Sequence, residues 1–243
     1  MVAKKLPVLS GMQNKIQILS TRPLSELLVQ RAVQCGIDLE VSPFIETEPI
    51  ESVEVQQEIE VLLNSKATVV FTSMNAVEAV AENITDEQPE WIIYCIGNTT
   101  RQLVQKYFLF SKIAGTADSA ASLAALIAGT SAVEDVSFFC GDQRRDELPE
   151  VLRQHGINVN EIVVYQTIPL PHKIKKEYRG ILFFSPSAVD SFFTLNKLSS
   201  ETILFAIGVT TASSIKKYTT NKIIISDQPG KENLYEKMLE YFT

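Results

Sequence analysis

Residues 181–192 read ILFFSPSAVDSF, and residues 69–80 read VVFTSMNAVEAV. Each opens on a short run of β-branched and aromatic residues, turns through a serine and continues at helical period. The opening run is apolar throughout instead of alternating, so such a strand must be covered on both faces, as in a parallel sheet. Working outward, the runs IQILS (16–20), TVVFT (68–72), WIIYCI (91–96), VSFFC (136–140), ILFFS (181–185), ILFAI (203–207) and KIIIS (222–226) read as further strands of this kind. Amphipathic stretches lie between them. In LSELLVQRAVQCG, Leu24, Leu27, Leu28, Ala32 and Val33 are expected to form one apolar stripe, with Gly36 ending the helix. ESVEVQQEIEVLLN, TRQLVQKYF, SAASLAALIAG, DELPEVLRQHG and ENLYEKMLEYF read the same way. Strands alternating with helices define an α/β fold.

The chain also repeats itself. Residues 19–49 resemble residues 139–169, with Gly36 on Gly156. VVFTSMNAVEAV resembles ILFFSPSAVDSF, with Ser73 on Ser185. CIGNTTRQLVQKY (95–107) resembles AIGVTTASSIKKY (206–218), with Gly97 on Gly208. Three blocks in one order at nearly one offset indicate an internal duplication, and hence two similar parallel-sheet α/β domains. VSPFIETEP (41–49) and VVYQTIPLP (163–171) occupy equivalent places in the repeats and read as paired extended connectors.

Composition narrows the chemistry. The chain has 243 residues, 45% hydrophobic and 21% charged, which excludes wholesale disorder. A net charge of −7 argues against non-specific binding to nucleic acid or to an anionic membrane. No apolar stretch approaches the roughly 18–20 residues that span a bilayer. The N-terminal segment lacks the apolar core of a signal peptide, so residues 1–15 read as a flexible cytoplasmic tail. Cys35, Cys95 and Cys140 are too few and too scattered for a disulfide framework. His155 and His172 have no clustered carboxylate or thiol in sequence, which disfavours a zinc site or a histidine-based triad. Fingerprints for dinucleotides (GxGxxG), nucleoside triphosphates (GxxxxGK[ST]) and the serine-hydrolase elbow (GxSxG) are missing.

In a parallel sheet, ligands bind outside the carboxyl ends of the strands, where helix starts present unpaired N–H groups. Small hydroxyl and amide residues sit at four such turns: Ser73 with Asn75, Thr99, Ser185 with Ser187, and Thr210. Plain N-capping explains any one of them. Together they also suit an anion-binding site that needs no net positive charge. Arg22 follows the first strand, Arg144 and Arg145 follow its repeat, and Lys231 follows the last strand. Arginine at such a position suits a carboxylate. For Arg144 and Arg145, pairing with Asp142, Asp146 or Glu147 is the alternative.

FTSMNAV (71–77), FFSPSAV (183–189), AIGVTTA (206–212) and VVYQT (163–167), in this order and spacing, resemble the uroporphyrinogen-III synthase family. The resemblance runs from about residue 16 to the C-terminus. It implies discontinuous domains: residues 16–41 with 170–243, and residues 46–164, joined by connectors 42–45 and 165–169. It implies cyclisation of hydroxymethylbilane, a linear tetrapyrrole with eight carboxylates, with loss of water and inversion of ring D through a spiro intermediate. It implies no metal and no organic cofactor. Tyr165 falls on the family's proposed acid, Ser73 and Ser185 on its substrate-facing serines, and Thr210 on its IGxT threonine. Arg22, Asn75, Thr99, Ser187 and Lys231 complete the expected substrate-binding set. A monomeric cytoplasmic enzyme is expected, with no nucleic-acid or membrane partner. A non-catalytic two-domain binding protein for a small polyanion would use the same turns.

Overall fold

The computed structural model describes residues 15–84, 88–130, 132–228 and 230–243, so the expected tail lies outside the described residues but for Lys15. The chain begins with β1 (Ile16–Ser20), α1 (Glu26–Gln34), β2 (Ile37–Val41), β3 (Ile45–Pro49) and α2 (Val53–Leu63). It continues through β4 (Thr68–Phe71), α3 (Met74–Ala81), β5 (Ile92–Ile96), α4 (Asn98–Tyr107), β6 (Lys112–Ala117) and α5 (Ala120–Ala128). Then follow β7 (Asp135–Gly141), α6 (Glu147–Gln154), β8 (Asn158–Pro169), β9 (Gly180–Phe183), α7 (Pro186–Leu195), β10 (Ile203–Ala206), α8 (Val209–Ile215), β11 (Ile223–Ile225) and α9 (Lys231–Phe242).

The chain divides into two units. One is the chain up to Glu46 with Pro169–Thr243; the other is Thr47–Ile168. The first holds a five-stranded sheet ordered β11-β10-β9-β1-β2, and the second a six-stranded sheet ordered β3-β8-β7-β4-β5-β6. Within the first sheet β1 pairs parallel with β2 and β9, and β10 with β9 and β11. Within the second, β4 pairs parallel with β5 and β7, β5 with β6, and β7 with β8. Taken by repeated block, β1, β2, β9, β10 and β11 hold the places that β7, β8, β4, β5 and β6 hold in the other sheet.

Among the described residues, covering both faces of each sheet makes four core clusters. In the first unit Ile18 and Leu182 face Leu28, Leu234 and Met238 of α1 and α9. The next residues, Leu19 and Ile181, face Val189, Phe192 and Ile215 of α7 and α8. In the second unit Val69 and Phe71 face Val77, Val80 and Val104, while Val70 between them faces Leu123, Ile127 and Leu152. Neighbouring strand residues thus both meet helices, which is why these runs do not alternate.

The stripe expected on α1 is narrower than the sequence reading. Leu28 and Ala32 are buried, with Leu24 and Val29 packed beside them, but Leu27 is 74% and Val33 49% exposed. Residues 28 and 32 share one face at a step of four, Leu24 packs there from the turn before the helix, and residues 27 and 33 fall about 100° and 140° from Leu28, on the flanks turned to solvent. Helices α1 and α6 each end on a glycine in the left-handed region, Gly36 (φ 75°) and Gly156 (φ 77°), before turning into β2 and β8. A side chain would be strained at both, so the paired glycines are conformational requirements.

Candidate functional site

Parallel strands place all their carboxyl ends on one side of a sheet; eight of the nine expected site residues follow such ends, and Tyr165 lies within β8 opposite Gly141, the last residue of β7. In the second unit Ser73 caps α3, its Oγ accepting from the Asn75 N–H at 3.2 Å. Asn75 is half-buried, and Thr99 is exposed in the first turn of α4, which starts after Gly97 without a side-chain cap. The Tyr165 hydroxyl donates to Ser73 Oγ at 3.1 Å. Ser73 Oγ therefore accepts two hydrogen bonds, which uses both lone pairs and leaves its O–H as a donor.

A β-bulge puts Tyr165 there. In the β7–β8 pair Cys140 stands opposite Val163, but Gly141 stands opposite Tyr165, so Val164 is an extra residue. Val159 and Val163 pack on the α5/α6 side of the sheet, and Ile162 and Val164 on the other. Strict alternation would send Tyr165 after Val163. The bulge sends it to the side of Ile162 and Val164, toward Ser73. The ring lies directly over Gly141, where an added Cβ would come within 2.4 Å of Tyr165 Cζ and 2.7 Å of its oxygen. Asp142 holds the chain on either side: its N–H donates to the Tyr165 carbonyl at 3.1 Å, and its Oδ1 accepts from the Thr167 N–H at 3.0 Å. Gly141 and Asp142 were missed as site residues in the sequence; the only signal is a glycine at the end of an otherwise bulky strand, FFCGD. Arg144 is held by Asp146 and by Glu161 of β8, which also takes Arg153 at 2.6 Å. Arg145 is exposed.

In the first unit Ser185 caps α7 through the Ala188 N–H at 3.2 Å, Pro186 occupies the first helical position, and Ser187 follows half-buried. Thr210 is exposed in the first turn of α8. Buried Thr21 fixes the end of β1 by donating both its N–H and its hydroxyl to the Leu182 carbonyl, at 3.1 and 2.8 Å. Arg22 follows, exposed. Lys231 opens α9; burial first, and the Arg22 guanidinium second, hold its ammonium below the ordinary lysine range. His172 stacks on buried Phe44 at 4.0 Å, with Nδ1 on the Leu170 carbonyl and Nε2 on Ser42 Oγ, so it ties the 170–172 segment to residues 42–44.

Burial pushes the Cys95 and Cys140 thiols up to about 11, which keeps both protonated and inert at neutral pH. Among the described residues no group of three or more His, Cys, Asp or Glu side chains is placed to hold a metal ion. No helix among them is long and apolar enough to cross a membrane. Ser73→Ala and Ser185→Ala each remove a helix cap and are expected to cost about 1 kcal/mol in urea unfolding. A loss below 0.3 kcal/mol, taken as roughly the noise of such a measurement, would show that neither cap matters.

The fold and site define a two-unit α/β protein with polar helix starts gathered at the strand ends of each sheet. The family model of uroporphyrinogen-III synthase HemD matches residues 26–236. The chain belongs to the uroporphyrinogen-III synthase family, lyases of haem biosynthesis. Uroporphyrinogen-III synthetase from Helicobacter pylori superposes with a TM-score of 0.65 at 18% identity, covering 93% of this chain and 99% of that one. A mutant uroporphyrinogen III synthase from the extremely thermophilic bacterium Thermus thermophilus superposes with a TM-score of 0.62 at 14% identity, covering 93% and 97%. At such identities the likeness shows the fold, and the family model shows the family.

Proposed function

We propose that this protein closes hydroxymethylbilane into the ring-D-inverted macrocycle, with loss of water, and that Tyr165 assists departure of the hydroxyl. The observation that carries this reading is the Tyr165–Ser73 pair, two hydroxyls at one strand-end turn. The leaving oxygen needs a hydrogen-bond donor, and either Tyr165, turning its O–H from Ser73 to the substrate, or the O–H of Ser73 supplies it. Once the hydroxyl leaves with its bonding pair, the end carbon of ring A is an electrophilic azafulvene, and the electron-rich substituted carbon of ring D attacks it; the spiro intermediate then fragments and recloses. The protein's part in those steps is to hold a flexible polyanion with its ends together. Helix-start N–H groups around Asn75, Thr99, Ser185, Ser187 and Thr210 suit its carboxylates, as do the charges of Arg22 and Lys231. This chemistry calls for no metal and no organic cofactor. We also propose an internal duplication, supported by repeated blocks that fall on corresponding strands of two equally ordered sheets. The sparse, unpaired cysteines fit a reducing cytoplasm, and a monomer is expected on sedimentation.

The test is an assay with hydroxymethylbilane that resolves the isomers, with neither metal nor nucleotide added. Type III product is expected. Only the spontaneous type I ring, at every protein concentration, would sink the reading. Thr210→Val is expected to lower the rate less than loss of the Tyr165 hydroxyl, because first-turn N–H groups of α8 remain to hold a carboxylate. A larger loss than in Tyr165→Phe would reverse that ranking.

A further inference from the structure

Within the second unit, a cavity of about 510 Å³ lies at the amino ends of β4, β7 and β8, the opposite side of the sheet from Ser73 and Tyr165. Its volume falls in the range of small-molecule sites, roughly 300–1,000 Å³. Ser137 is the most buried polar residue on its lining, 9% exposed on an inner strand flanked by β4 and β8. Its hydroxyl makes no hydrogen bond to any described residue. A hydroxyl buried this far normally has a partner, so this one calls for an explanation. Along β7, Asp135 and Ser137 share the side of Phe139; along β8, Asn158 and Asn160 share the side of Ile162. Phe139 and Ile162 belong to the cluster that α2 and α3 cover. In register Asp135 stands opposite Asn158, and Ser137 opposite Asn160. Four polar side chains thus form a two-by-two block on one face. Asn158 Nδ2 donates to Asp135 Oδ1 at 2.9 Å, which leaves the other carboxylate oxygen open. Asn160 is exposed and has no side-chain partner among the described residues.

Charge decides what fits. Glu134 and Asp135 line the cavity, and neither is ion-paired with a described residue. Lys66, the one basic residue on the lining, is held by Glu90 at 3.2 Å. Leu62, near the carboxyl end of α2, also lines it, so the negative end of that helix dipole adds to the field. The uncompensated charge is therefore negative, and a cation is favoured. Calcium takes about six to eight oxygen ligands, more than this block supplies. A primary ammonium needs only three acceptors, and Ser137 Oγ, Asn160 Oδ1 and Asp135 Oδ2 supply them. Leu62, Ala67 and Val133 add apolar wall for an aliphatic body. We propose that this cavity binds a small primary alkylammonium ion, its N–H groups on Ser137, Asn160 and Asp135 and its chain against Leu62, Ala67 and Val133. The site takes no part in the cyclisation: Ser137 lies four residues from Gly141 along β7, about 13 Å from the seat of Tyr165.

Isothermal titration of the full chain with butylammonium chloride tests it. Saturable binding is expected with a Kd at or below about 1 mM, within reach of so small a ligand. Butan-1-ol lacks the charge and butyltrimethylammonium lacks the N–H groups, so each is expected to bind at least about tenfold more weakly. Ser137→Ala is expected to weaken butylammonium binding about three- to tenfold, and Asp135→Asn about tenfold or more. Ser137→Ala removes a buried hydroxyl that has no partner, so its unfolding midpoint should not fall, and its rate of type III product formation should not change. Should Asp135→Asn fail to fold, a crystal of the unsubstituted protein soaked in butylammonium decides, with the nitrogen expected within hydrogen-bond distance of Ser137 Oγ. No saturable binding, equal affinity for butan-1-ol or butyltrimethylammonium, a lower midpoint or an unchanged Kd in Ser137→Ala, or a soaked ion seated elsewhere would each overturn the site. Failure of the unsubstituted protein to make type III product is a separate result, and it overturns the cyclase reading instead.

Discussion

Tyr165→Phe is expected to slow formation of the type III macrocycle by roughly ten- to a hundredfold, at or below the low end of what a general acid contributes. Two opposing effects set that figure. Hydroxide is a poor leaving group at neutral pH, so a donor on the departing oxygen helps. The pyrrole nitrogen also pushes the hydroxyl out unaided, which caps the benefit. Phenols as a class are weak acids, so Tyr165 serves as a hydrogen-bond donor more than as a strong acid. The fold should survive, because the change removes one oxygen and its bond to Ser73, about 1 kcal/mol of stability. Single-turnover rates with hydroxymethylbilane and a urea unfolding curve check both parts. A well-folded variant with full activity would reduce Tyr165 to a packing residue.

What the sequence made legible follows from burial. All seven strands read from continuous apolar runs are present, and six of them are the inner strands β10, β9, β1, β7, β4 and β5. Edge strands β2, β3 and β6, with β8 next to an edge, left no such run. IDLEV, IETEP and KIAGTA keep one or both faces toward solvent, so polar residues are tolerated and the signature is lost. Only β11, III, is an edge that stayed apolar, and its residues are all partly buried. The helix-start residues were equally legible, because Ser73 and Ser185 sit at strand-to-helix turns whose chemistry is local. The Tyr165–Ser73 contact was not. It joins residues 92 positions apart and depends on a bulge at Val164, which no residue type announces. The crowding of Tyr165 against Gly141 was hidden for the same reason: a glycine in a strand can mean weak packing, a bend or a close approach, and only the neighbouring strand says which.

Gly141→Ala should therefore be as damaging as any substitution that touches the hydroxyl itself. The new methyl carbon would stand 2.4 Å from Tyr165 Cζ and 2.6 Å from Cε2, far inside contact distance. The obstacle is an aromatic ring fixed to its own strand, so it cannot yield as the tip of a flexible side chain would. Overpacking of this kind costs roughly 1–3 kcal/mol. The ring must swing off Gly141, and in doing so it withdraws its hydroxyl from Ser73. Activity is then expected to fall about as far as in Tyr165→Phe, ten- to a hundredfold, with a lower unfolding midpoint besides. The two changes should not add in rate, because each removes the same donor, so Gly141→Ala/Tyr165→Phe should be no slower than the worse single variant by more than about twofold. Stability can still fall further in the double variant, since a phenylalanine ring meets the same methyl group. Fully multiplicative rates would place the effect of Gly141 somewhere other than the tyrosine. Wild-type rates in Gly141→Ala would mean that the hydroxyl reaches the substrate without the seat that β7 provides.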